Sequence, residues 1–555
     1  MIAALGLLAA AVPASAQGAW SPPFELAQKG GQQSALAAAP NGSSVTAWSN
    51  GLDDLRVRRV RADGSRGPTR KVGALSGYAD GPALTVDRRG VAVVVWHDAK
   101  DGRLLARRFG LRDRLGPVLQ LASAGTTGNF PYAQVSAAVD ADGAVAVVWP
   151  RVIAEPVFPR GDRIVSTAIH ARWIGASGRP GRLLTLTDST TVDTAPRVAA
   201  GPAGFATVAW MRRSGDRNAP VAARLSRAGA LSDVRDLAEP GETATSADWA
   251  VAGDATGVAT FAWLAHTDGV STVAARQLAP DGVLGPRHEL GPDATGYYFP
   301  SVAPGVDGSA TVTWRSVDAS SRFENATMAR RIGPGAATGP PLRLSEPRSG
   351  QGSATTSRPA IAADRSGWTV VAWTESRYED SRPQQSLLTR RISPTGSVAP
   401  PETLFEGRPG QLLRGPLATA VDAATTVVWG ATTTGGYARL LASRQVAACA
   451  RVAAPRASVA IRPSRRRAVA RLTFDSPVDT GAIRARIGPR GVRASSDRAT
   501  GATTRKRVVL ELSPAGARRL VPGKRVRVRL RLTARPYATG CRFTQRSVRA
   551  TAVVR

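Results

Sequence analysis

Few side chains in this chain of 555 residues are spaced as a catalytic site requires. The four histidines, His97, His170, His266 and His288, form no H-E-x-x-H motif and no close pair, which disfavours zinc catalysis. No G-x-S-x-G sequence occurs, so a nucleophile of the α/β-hydrolase type has no support. The sequence DADG, residues 140–143, lacks the further acidic ligands of a calcium loop and predicts an Asx-type turn. We therefore predict neither a metal site nor a cofactor.

Carboxylates are the remaining candidates for catalysis. A glycoside hydrolase needs two of them about 5 to 10 Å apart, a distance that a sequence does not reveal. The acidic residues in segments that differ between repeats are Glu155, Asp162, Glu324, Glu375, Glu379 and Asp380. Each of them, taken alone, is typical of a solvated charge in a loop. A carbohydrate-active hydrolase or lyase therefore stays open as an alternative to a protein that only binds.

A ladder of arginines lies near the carboxyl end of the chain, in the sequence RVRVRLRL. Because side chains alternate along a strand, Arg525, Arg527, Arg529 and Arg531 share one face and the intervening Val and Leu share the other. Such a row of guanidinium groups suits phosphates or other anionic polymers of a cell envelope. A solvated strand face in an arginine-biased composition is the alternative interpretation. The ladder has no interleaved aromatic residue, which disfavours nucleic acid as the partner.

Charge and compartment agree with a partner outside the cell. Residues 447–555 contain 27 Lys and Arg against 4 Asp and Glu, whereas the preceding residues contain 47 against 37. The amino-terminal MIAALGLLAAAVPASA has the apolar run and small residues of a secretory signal, which predicts a signal peptide over residues 1–16. No later apolar run reaches the roughly 18 residues of a membrane span, so we expect a secreted or envelope-associated protein. There, Cys449 and Cys541 favour a disulfide.

The elements that position these residues follow from a repeat. Four short alternating segments, separated by Gly, Pro and Asp, recur in each unit and have the pattern of strands and turns. Four strands in about 50 residues are typical of a β-propeller blade. Each unit has one tryptophan at the end of an apolar run, which we interpret as packing between blades. These tryptophans are 48 to 61 residues apart: Trp48, Trp96, Trp149, Trp210, Trp263, Trp314, Trp373 and Trp429.

The predicted fold is therefore all-β, with an eight-bladed propeller over residues 17–446. The amino-terminal segment WSPPFEL, residues 20–26, is similar to the GPxxxL segment that ends the other units, and the eighth unit lacks that segment. We expect this amino-terminal strand to complete the last blade and close the ring, so that no sheet edge stays unpaired.

The pattern DxxGxAxVxW, ARR and GxxGPxxxL resembles that of secreted β-propeller repeat proteins common in GC-rich actinobacteria. The resemblance implies an architecture but no function, because most of those proteins have no assigned activity. A fainter likeness to the Asp-box of sialidase-type propellers departs from that motif. In DADGAVAVVW the Trp follows the Gly by six residues instead of two, so no sialidase residue is carried over.

After the repeats, residues 447–555 contain alternating segments such as SVAIRP and KRVVLEL, which predict a small Ig-like β-sandwich. Between two of these segments, Ser513 as N-cap and Pro514 at the first helical position predict one short helix.

The connections at one end of the propeller vary in length and carry aromatic residues, and binding sites are commonly built on such loops. We expect a function without catalysis, in which a monomer binds an extracellular glycan or protein there and the basic module contacts anionic envelope polymers. Packing of the aromatic residues against neighbouring blades is the alternative, and a purely structural envelope protein is another. The expected face consists of Tyr78, Phe130, Tyr132, Trp249, Tyr297, Tyr298 and Phe299, with Glu155 and Asp162 in a loop of about twenty residues after Trp149.

Overall fold

The computed structural model describes most of residues 17–554. The chain divides into two compact units, of which one spans Ala19–Gln445 and the other contains Val446–Arg555. No helix in the described part is long and apolar enough to cross a membrane. The residues outside the description are 1–16, 31–32, 50–53, 75–80, 99–102, 124–133, 158–160, 189–191, 203, 292–298, 306, 318–324, 347–354, 380–381, 422–423, 433–437, 448–455, 488–491, 497–499, 537–543 and 555.

The first unit consists of antiparallel strands that pair mainly with their neighbours along the chain. The amino-terminal strands are β1 (Gln17–Trp20) and β2 (Phe24–Ala27). The first sheet contains β3 (Ser34–Ala38), β4 (Ser44–Ser49), β5 (Asp54–Val60) and β6 (Arg70–Ala74). The second contains β7 (Ala83–Val86), β8 (Ala92–Asp98), β9 (Arg103–Phe109) and β10 (Leu115–Ala122). The third contains β11 (Ser136–Val139), β12 (Val145–Val157), β13 (Gly161–Ile174) and β14 (Pro180–Thr185).

The later sheets follow the same order. A parallel pair between Thr167 and Val192 joins the third sheet to the fourth, which contains β15 (Val192–Ala200), β16 (Phe205–Ser214), β17 (Arg217–Ser226) and β18 (Arg235–Asp236). The fifth contains β19 (Thr243–Gly253), β20 (Ala259–Thr267), β21 (Val270–Leu278) and β22 (His288–Gly291). The sixth contains β23 (Ser301–Pro304), β24 (Ala310–Val317), β25 (Asn325–Ile332), a 3-10 turn (Pro334–Ala336) and β26 (Leu342–Arg343).

Two further sheets complete this unit. One contains β27 (Thr355–Thr356), β28 (Ala360–Ala363), β29 (Thr369–Glu379), β30 (Arg382–Ile392) and β31 (Glu402–Glu406). The last contains β32 (Leu413–Val421), β33 (Ala424–Thr432) and β34 (Ala438–Ala447), and β34 also pairs with β1 and β2. In the pairing of β2 with β34, Phe24 lies opposite Ala442 and Glu25 opposite Leu441.

The first strands of successive sheets lie side by side. β3 contacts β7, β7 contacts β11, and the series continues through β15, β19, β23 and β28 to β32. β32 in turn contacts β3. Antiparallel four-stranded sheets that succeed one another in this way form a β-propeller, and this is the fold of the first unit.

The tryptophan of each repeat lies within the second strand of its sheet and is buried. A Cβ atom on Gly73 of β6 would lie 2.6 Å from Cζ2 of Trp96 in the next sheet. A Cβ atom on Gly291 of β22 would lie 2.9 Å from Cζ2 of Trp314, again in the next sheet. Glycine in the outer strand of one sheet therefore leaves room for the indole of its neighbour.

The turn between the first and second strands is held by an aspartate. Oδ1 of Asp140 accepts hydrogen bonds of 2.9 Å from the backbone N–H groups two and four residues later, which confirms the predicted Asx-type turn. Gly143 has a φ of 86°, a left-handed conformation that favours glycine. Asp254 forms the same turn, and its Oδ2 accepts a hydrogen bond of 2.8 Å from the N–H of Gly308 in the next sheet. These uniform turns therefore have a structural role.

Arginines in the third strands donate hydrogen bonds to backbone carbonyls of the outer strands and of the preceding sheet. Nε of Arg107 in β9 donates to the carbonyl of Gly116 in β10 (2.7 Å), and its Nη1 donates to the carbonyl of Val72 in β6 of the preceding sheet (2.9 Å). The repeated ARR sequence thus joins neighbouring sheets through backbone carbonyls. Equivalent pairs of hydrogen bonds recur at Arg58, Arg172, Arg276, Arg330 and Arg390.

In its described residues, the second unit contains six strands and an apolar core of its own. The first half of a long strand, β36, pairs with β35 and β38, and its second half pairs with β37 and β39. β39 also pairs with β40, so all six strands belong to one sheet. An Ig-like sandwich has two sheets, and that topology stays a prediction for this unit. The strands are β35 (Arg456–Arg462), β36 (Arg467–Ile487), β37 (Val492–Ser496), β38 (Thr500–Leu512), β39 (Arg525–Pro536) and β40 (Thr544–Val553).

A single turn of helix, α1 (Pro514–Arg518), connects β38 to β39. Its N-cap is Ser513, whose Oγ accepts a hydrogen bond of 3.1 Å from the N–H of Gly516. The predicted helix and its N-cap are therefore confirmed.

Candidate anion-binding surface

The outward face of β39 carries the arginine ladder. Val528 and Leu530 are buried in the core, which is what a strand with one covered face requires. Burial of these two apolar side chains fixes the orientation of the strand. The arginine side chains beside them therefore project from the other face at a regular spacing. The exposed side chains are those of Arg525, Arg527, Arg529 and Arg531.

Neighbouring strands add three arginines to this face. Arg486 of β36 lies opposite Arg529, and Arg549 of β40 lies opposite Arg529 on the other side. Arg484 of β36 lies opposite Arg531. Opposite residues of paired strands point to the same face, and these three side chains are also exposed. The arginine face therefore consists of Arg484, Arg486, Arg525, Arg527, Arg529, Arg531 and Arg549.

The arginine face has no acidic partner among the described residues. None of its seven side chains forms an ion pair with a described Asp or Glu. Like charges directly opposite each other in a sheet destabilise it, and guanidinium groups stay protonated at any ordinary pH. A bound phosphate or carboxylate would reduce this repulsion, so the surface is suited to anions.

Three members of the face are not evident from the sequence alone. The segment IRARI, residues 483–487, alternates as the ladder does and would have placed Arg484 and Arg486 on one face of a strand. Nothing in that segment specifies β39 as its partner, because the two strands are far apart in the chain. Arg549 lies in β40, the strand that follows β39, but the register that places it opposite Arg529 is not evident from the sequence.

Trp249 does not occupy the loop position that was expected for it. It lies within β19, opposite Trp263, and its side chain is only 1% exposed. It packs with Ala209 and Met211 of the preceding sheet, and Cζ of Arg197 lies 5.7 Å from its ring centre. The strand β19 is longer than expected from the repeat, so the indole packs between sheets instead of facing a ligand.

The other aromatic residues of the expected face are only partly described. Phe299 is half-buried with a φ of 43°, and Cζ of Arg358 lies 5.7 Å from its ring centre. An aromatic ligand-binding face on the propeller therefore stays a prediction. Outside the described residues lie Tyr78, Phe130, Tyr132, Tyr297 and Tyr298.

Glu155 and Asp162 lie in a β-hairpin instead of the expected long loop. β12 continues to Val157 and β13 begins at Gly161, with Glu155 opposite Arg163. The segments RVIAEPV and RIVSTAI are rich in Val and Ile, which favour strands, so pairing continues well beyond the tryptophan of this repeat. The side chains of both acidic residues are outside the described part.

Other candidates for chemistry have structural surroundings. Glu375 is buried, and a carboxylate oxygen of it accepts a hydrogen bond of 2.9 Å from Nε1 of Trp373. His97 is buried in β8, and burial lowers its pKa to about 4. Among the residues that the structure describes, no group of three or more His, Cys, Asp or Glu could hold a metal ion. Cys449 and Cys541, the expected disulfide, lie outside those residues.

Comparison with known proteins does not assign the chain to a family. No family model matches the chain, and no curated protein matches it. Several solved structures resemble it, and each likeness is remote.

The BP39L lectin from Burkholderia pseudomallei is 14% identical, with a TM-score of 0.46 over 68% of this chain and 100% of the lectin. The β-propeller domain of the Trilobed protease from Pyrococcus furiosus is 6% identical, with a TM-score of 0.36 over 69% of this chain and 97% of that domain. The α-L-arabinanase from Penicillium chrysogenum is 11% identical, with a TM-score of 0.34 over 53% of this chain and 87% of the enzyme. The propeller fold is therefore assigned from the strand pairing of this chain, and its function is inferred from the surfaces of this chain.

Proposed function

We propose that this chain is an exported binding protein without catalytic activity. Residues 1–16 are its signal peptide, residues 17–446 form an eight-bladed propeller, and residues 447–555 form a basic module that contains a Cys449–Cys541 disulfide. The basic module attaches the protein to an anionic polymer of the cell envelope. The propeller presents a glycan-binding or protein-binding face.

A ring of eight blades closed by the amino-terminal strand is supported by the junction between the last and first sheets. β2 pairs with β34, and β32 contacts β3. Nη1 of Arg58 in β5 donates a hydrogen bond of 2.9 Å to the carbonyl of Leu26 in β2, as Arg107 donates to Val72 one sheet later. This junction therefore repeats the contacts of the internal ones, and the amino-terminal strand supplies the outer strand that the last sheet would otherwise lack.

The observation that carries the proposal is the arginine face of the second unit. Along β39, alternate side chains are about 7 Å apart, and those of paired strands are about 5 Å apart. A guanidinium group presents a fork of N–H donors that binds phosphate or carboxylate through two hydrogen bonds. A two-dimensional array of such groups fits a polymer with repeated charges better than one small anion, because only the polymer satisfies several arginines at once.

Binding to polymers tests this proposal directly. The purified full chain is titrated with inorganic polyphosphate, polygalacturonate, neutral dextran and duplex DNA over a range of salt concentrations. We expect saturable binding of the first two, none of dextran, and a steep loss of affinity with salt because counterions are released. A preference of about tenfold or more for DNA over both anionic polymers would instead assign the surface to nucleic acid.

A matched pair of variants separates the arginine face from net charge. Substitution of Gln for Arg527, Arg529 and Arg531 should weaken binding at least about tenfold and lower the salt dependence, because three contacts are lost. The control replaces the exposed Arg112, Arg518 and Arg519, which lie elsewhere, and removes the same charge. Equal losses in the two triple variants would mean that charge alone, and not this surface, binds the polymer.

The proposed ligand face of the propeller lies where the second and third strands of each sheet connect. The hairpin of β12 and β13 extends there to Val157 and Gly161, beyond the equivalent strands of the second sheet. Loops and hairpins that differ on a rigid scaffold are the usual place for recognition. A glycan array and a polysaccharide turnover assay test this part: saturable binding without product supports it, and product release would favour the hydrolase or lyase alternative.

A further inference from the structure

A cleft of about 460 Å³ opens on the second unit beside one end of the ladder, because Val553 of β40, which lines the cleft, lies opposite Arg525. It lies between β35 and β40, which run parallel and are joined, among the described residues, by one bridge between Ile461 and Val554. Residues of β36 and Val509 of β38 also line it. Since the two strands do not form a continuous ladder, the surface of the sheet is indented at this place.

An apolar stripe crosses the cleft. Val469 of β36 lies opposite Val509 of β38 on one side and opposite Ala460 of β35 on the other. The bridge between Ile461 and Val554 places Ala460 beside Val553 of β40. These four residues, Val509, Val469, Ala460 and Val553, are called the valine stripe and span about 14 Å across four strands.

The valine stripe is uncovered. The side chain of Val509 is 41% exposed and that of Val553 is 42% exposed. Exposed aliphatic side chains are ordinary when scattered, but a contiguous row on an indented surface is typical of a ligand site. Covering the row would remove apolar surface from water, which favours binding of an apolar group.

Arginines flank the stripe on both sides. Arg462 of β35 lies opposite Arg467 of β36 on one side of it, and Arg471 of β36 lies opposite Ser458 of β35 on the other. No carboxylate lines the cleft, and no ion pair involves these arginines in the described part of the chain. Glu511 of β38 is opposite Arg467 but does not line the cleft. The rim is therefore cationic around an apolar floor.

We propose that this cleft binds a single-chain anionic amphiphile, whose alkyl chain covers the valine stripe and whose carboxylate or phosphate head binds Arg462 and Arg467. A fully polar polymer would leave the valines exposed to water, and a neutral lipid would leave the arginines without an anion. Only a ligand with both parts satisfies both surfaces. The site shares no residue with the arginine face but borders it, since Val553 and Thr551 of the cleft lie opposite Arg525 and Arg527.

The test is calorimetric titration of the full chain with monomeric decanoate and decyl phosphate. Butyrate, decyltrimethylammonium and vesicles of phosphatidylglycerol or phosphatidylcholine are the comparison ligands. We expect both decyl anions to bind, butyrate to bind at least about tenfold more weakly because it covers little of the stripe, and the cation not to bind. Equal binding of the decyl cation and anions would overturn the proposal, as would binding to phosphatidylglycerol vesicles without binding of the monomeric anions.

Matched variants locate the site. Substitution of Ser for Val509 and Val553 should weaken decanoate binding at least about tenfold, and Val521→Ser, at a valine outside the cleft that is exposed at least as much, should not change it. Arg462→Gln with Arg467→Gln should weaken both decyl anions, with Arg518→Gln and Arg519→Gln as the control. Unchanged affinity in either cleft variant contradicts the site. Arg484→Gln with Arg531→Gln, in the part of the arginine face that does not border the cleft, should keep the affinity for decanoate, and a loss there would assign decanoate binding to the arginine face instead.

Discussion

Nη1 of Arg444, in the last strand of the propeller, donates a hydrogen bond of 2.5 Å to the backbone carbonyl of Arg61 in the first sheet. Nη2 of the same side chain donates to the carbonyl of Gly42. Arg224 makes the equivalent contact between two internal sheets, with the carbonyl of Leu278 at 2.9 Å. The last sheet is therefore fastened to the first by the same kind of buried arginine that fastens neighbouring sheets elsewhere.

Replacing Arg444 should destabilise the propeller. The side chain is 3% exposed, and burial lowers its pKa to about 10. The backbone carbonyls that it binds compensate the buried charge. Arg444→Gln should lower the free energy of unfolding by about 2 to 3 kcal/mol, because buried acceptors lose a charged donor. Arg439→Gln is the control on the same strand, because its exposed ion pair with Glu25 should contribute at most about 1 kcal/mol. Urea unfolding of both variants measures the difference, and equal effects would contradict the fastening role.

The amino-terminal strand should matter far more than a chain end usually does. Deletion of residues 17–28 removes β2 from β34 and exposes a strand edge, so the melting temperature should fall by several degrees or more. Leu26→Ala tests the same contact mildly, since Leu26 is buried with Trp48 and Leu440 and its truncation should cost about 3 kcal/mol. Calorimetry that finds the deletion variant as stable as the full chain would show that the ring does not depend on this strand.

Glycine at residue 73 should be required by the neighbouring tryptophan. A Cβ atom there would lie 2.6 Å from Cζ2 of Trp96, which is buried and has little room to move. Gly73→Ala should therefore cost about 1 to 3 kcal/mol. Gly415→Ala is the matched control, because a Cβ atom on Gly415 would meet no atom within 4 Å. Chemical unfolding should separate the two variants, and a neutral Gly73→Ala would contradict the tight packing of this indole.

Protonation of a buried histidine should weaken the fold in acid. Burial lowers the pKa of His97 from its ordinary value of 6.5 to about 4, so the unfolded chain takes up this proton at a higher pH than the folded chain. The contribution of His97 to stability is therefore complete above pH 6.5 and is lost as the pH falls toward 4. By pH 4.5 the loss should be about 2.5 kcal/mol. Unfolding at pH 7 and pH 4.5 should show a smaller decrease for His97→Gln than for the unchanged chain, and parallel decreases would contradict the shift.

The cysteines should be joined in the exported protein. Cys449 and Cys541 are the two cysteines of the chain, and an oxidising compartment favours their disulfide. Closing a loop of this length should stabilise the second unit by up to about 4 kcal/mol in the chain-entropy description. Peptide mass spectrometry without reduction should show one linked pair of peptides, and two alkylated thiols would contradict it.

Local pattern was enough to predict the strands, the turns and the alternation of faces. The Asx-type turn at Asp140 follows from a side chain that binds backbone groups two and four residues away, an interaction contained in five residues. The helix after Ser513 is equally local. The separation of Val528 and Leu530 from the arginines beside them needs only the two-residue period of a strand.

Contacts between distant segments were decided by the tertiary structure. The sequence of β39 contains four arginines, but the face has seven, because Arg484, Arg486 and Arg549 reach it through the register of two other strands. The sequence predicts that Trp249 is an exposed aromatic residue in a loop. In the structure it is buried, because a longer strand brings it against the preceding sheet. The two-residue alternation of side chains predicts only which side of its strand a side chain faces. What lies on that side depends on which strands pair and in which register, and the whole chain selects that pairing by burying apolar surface and satisfying backbone hydrogen bonds together.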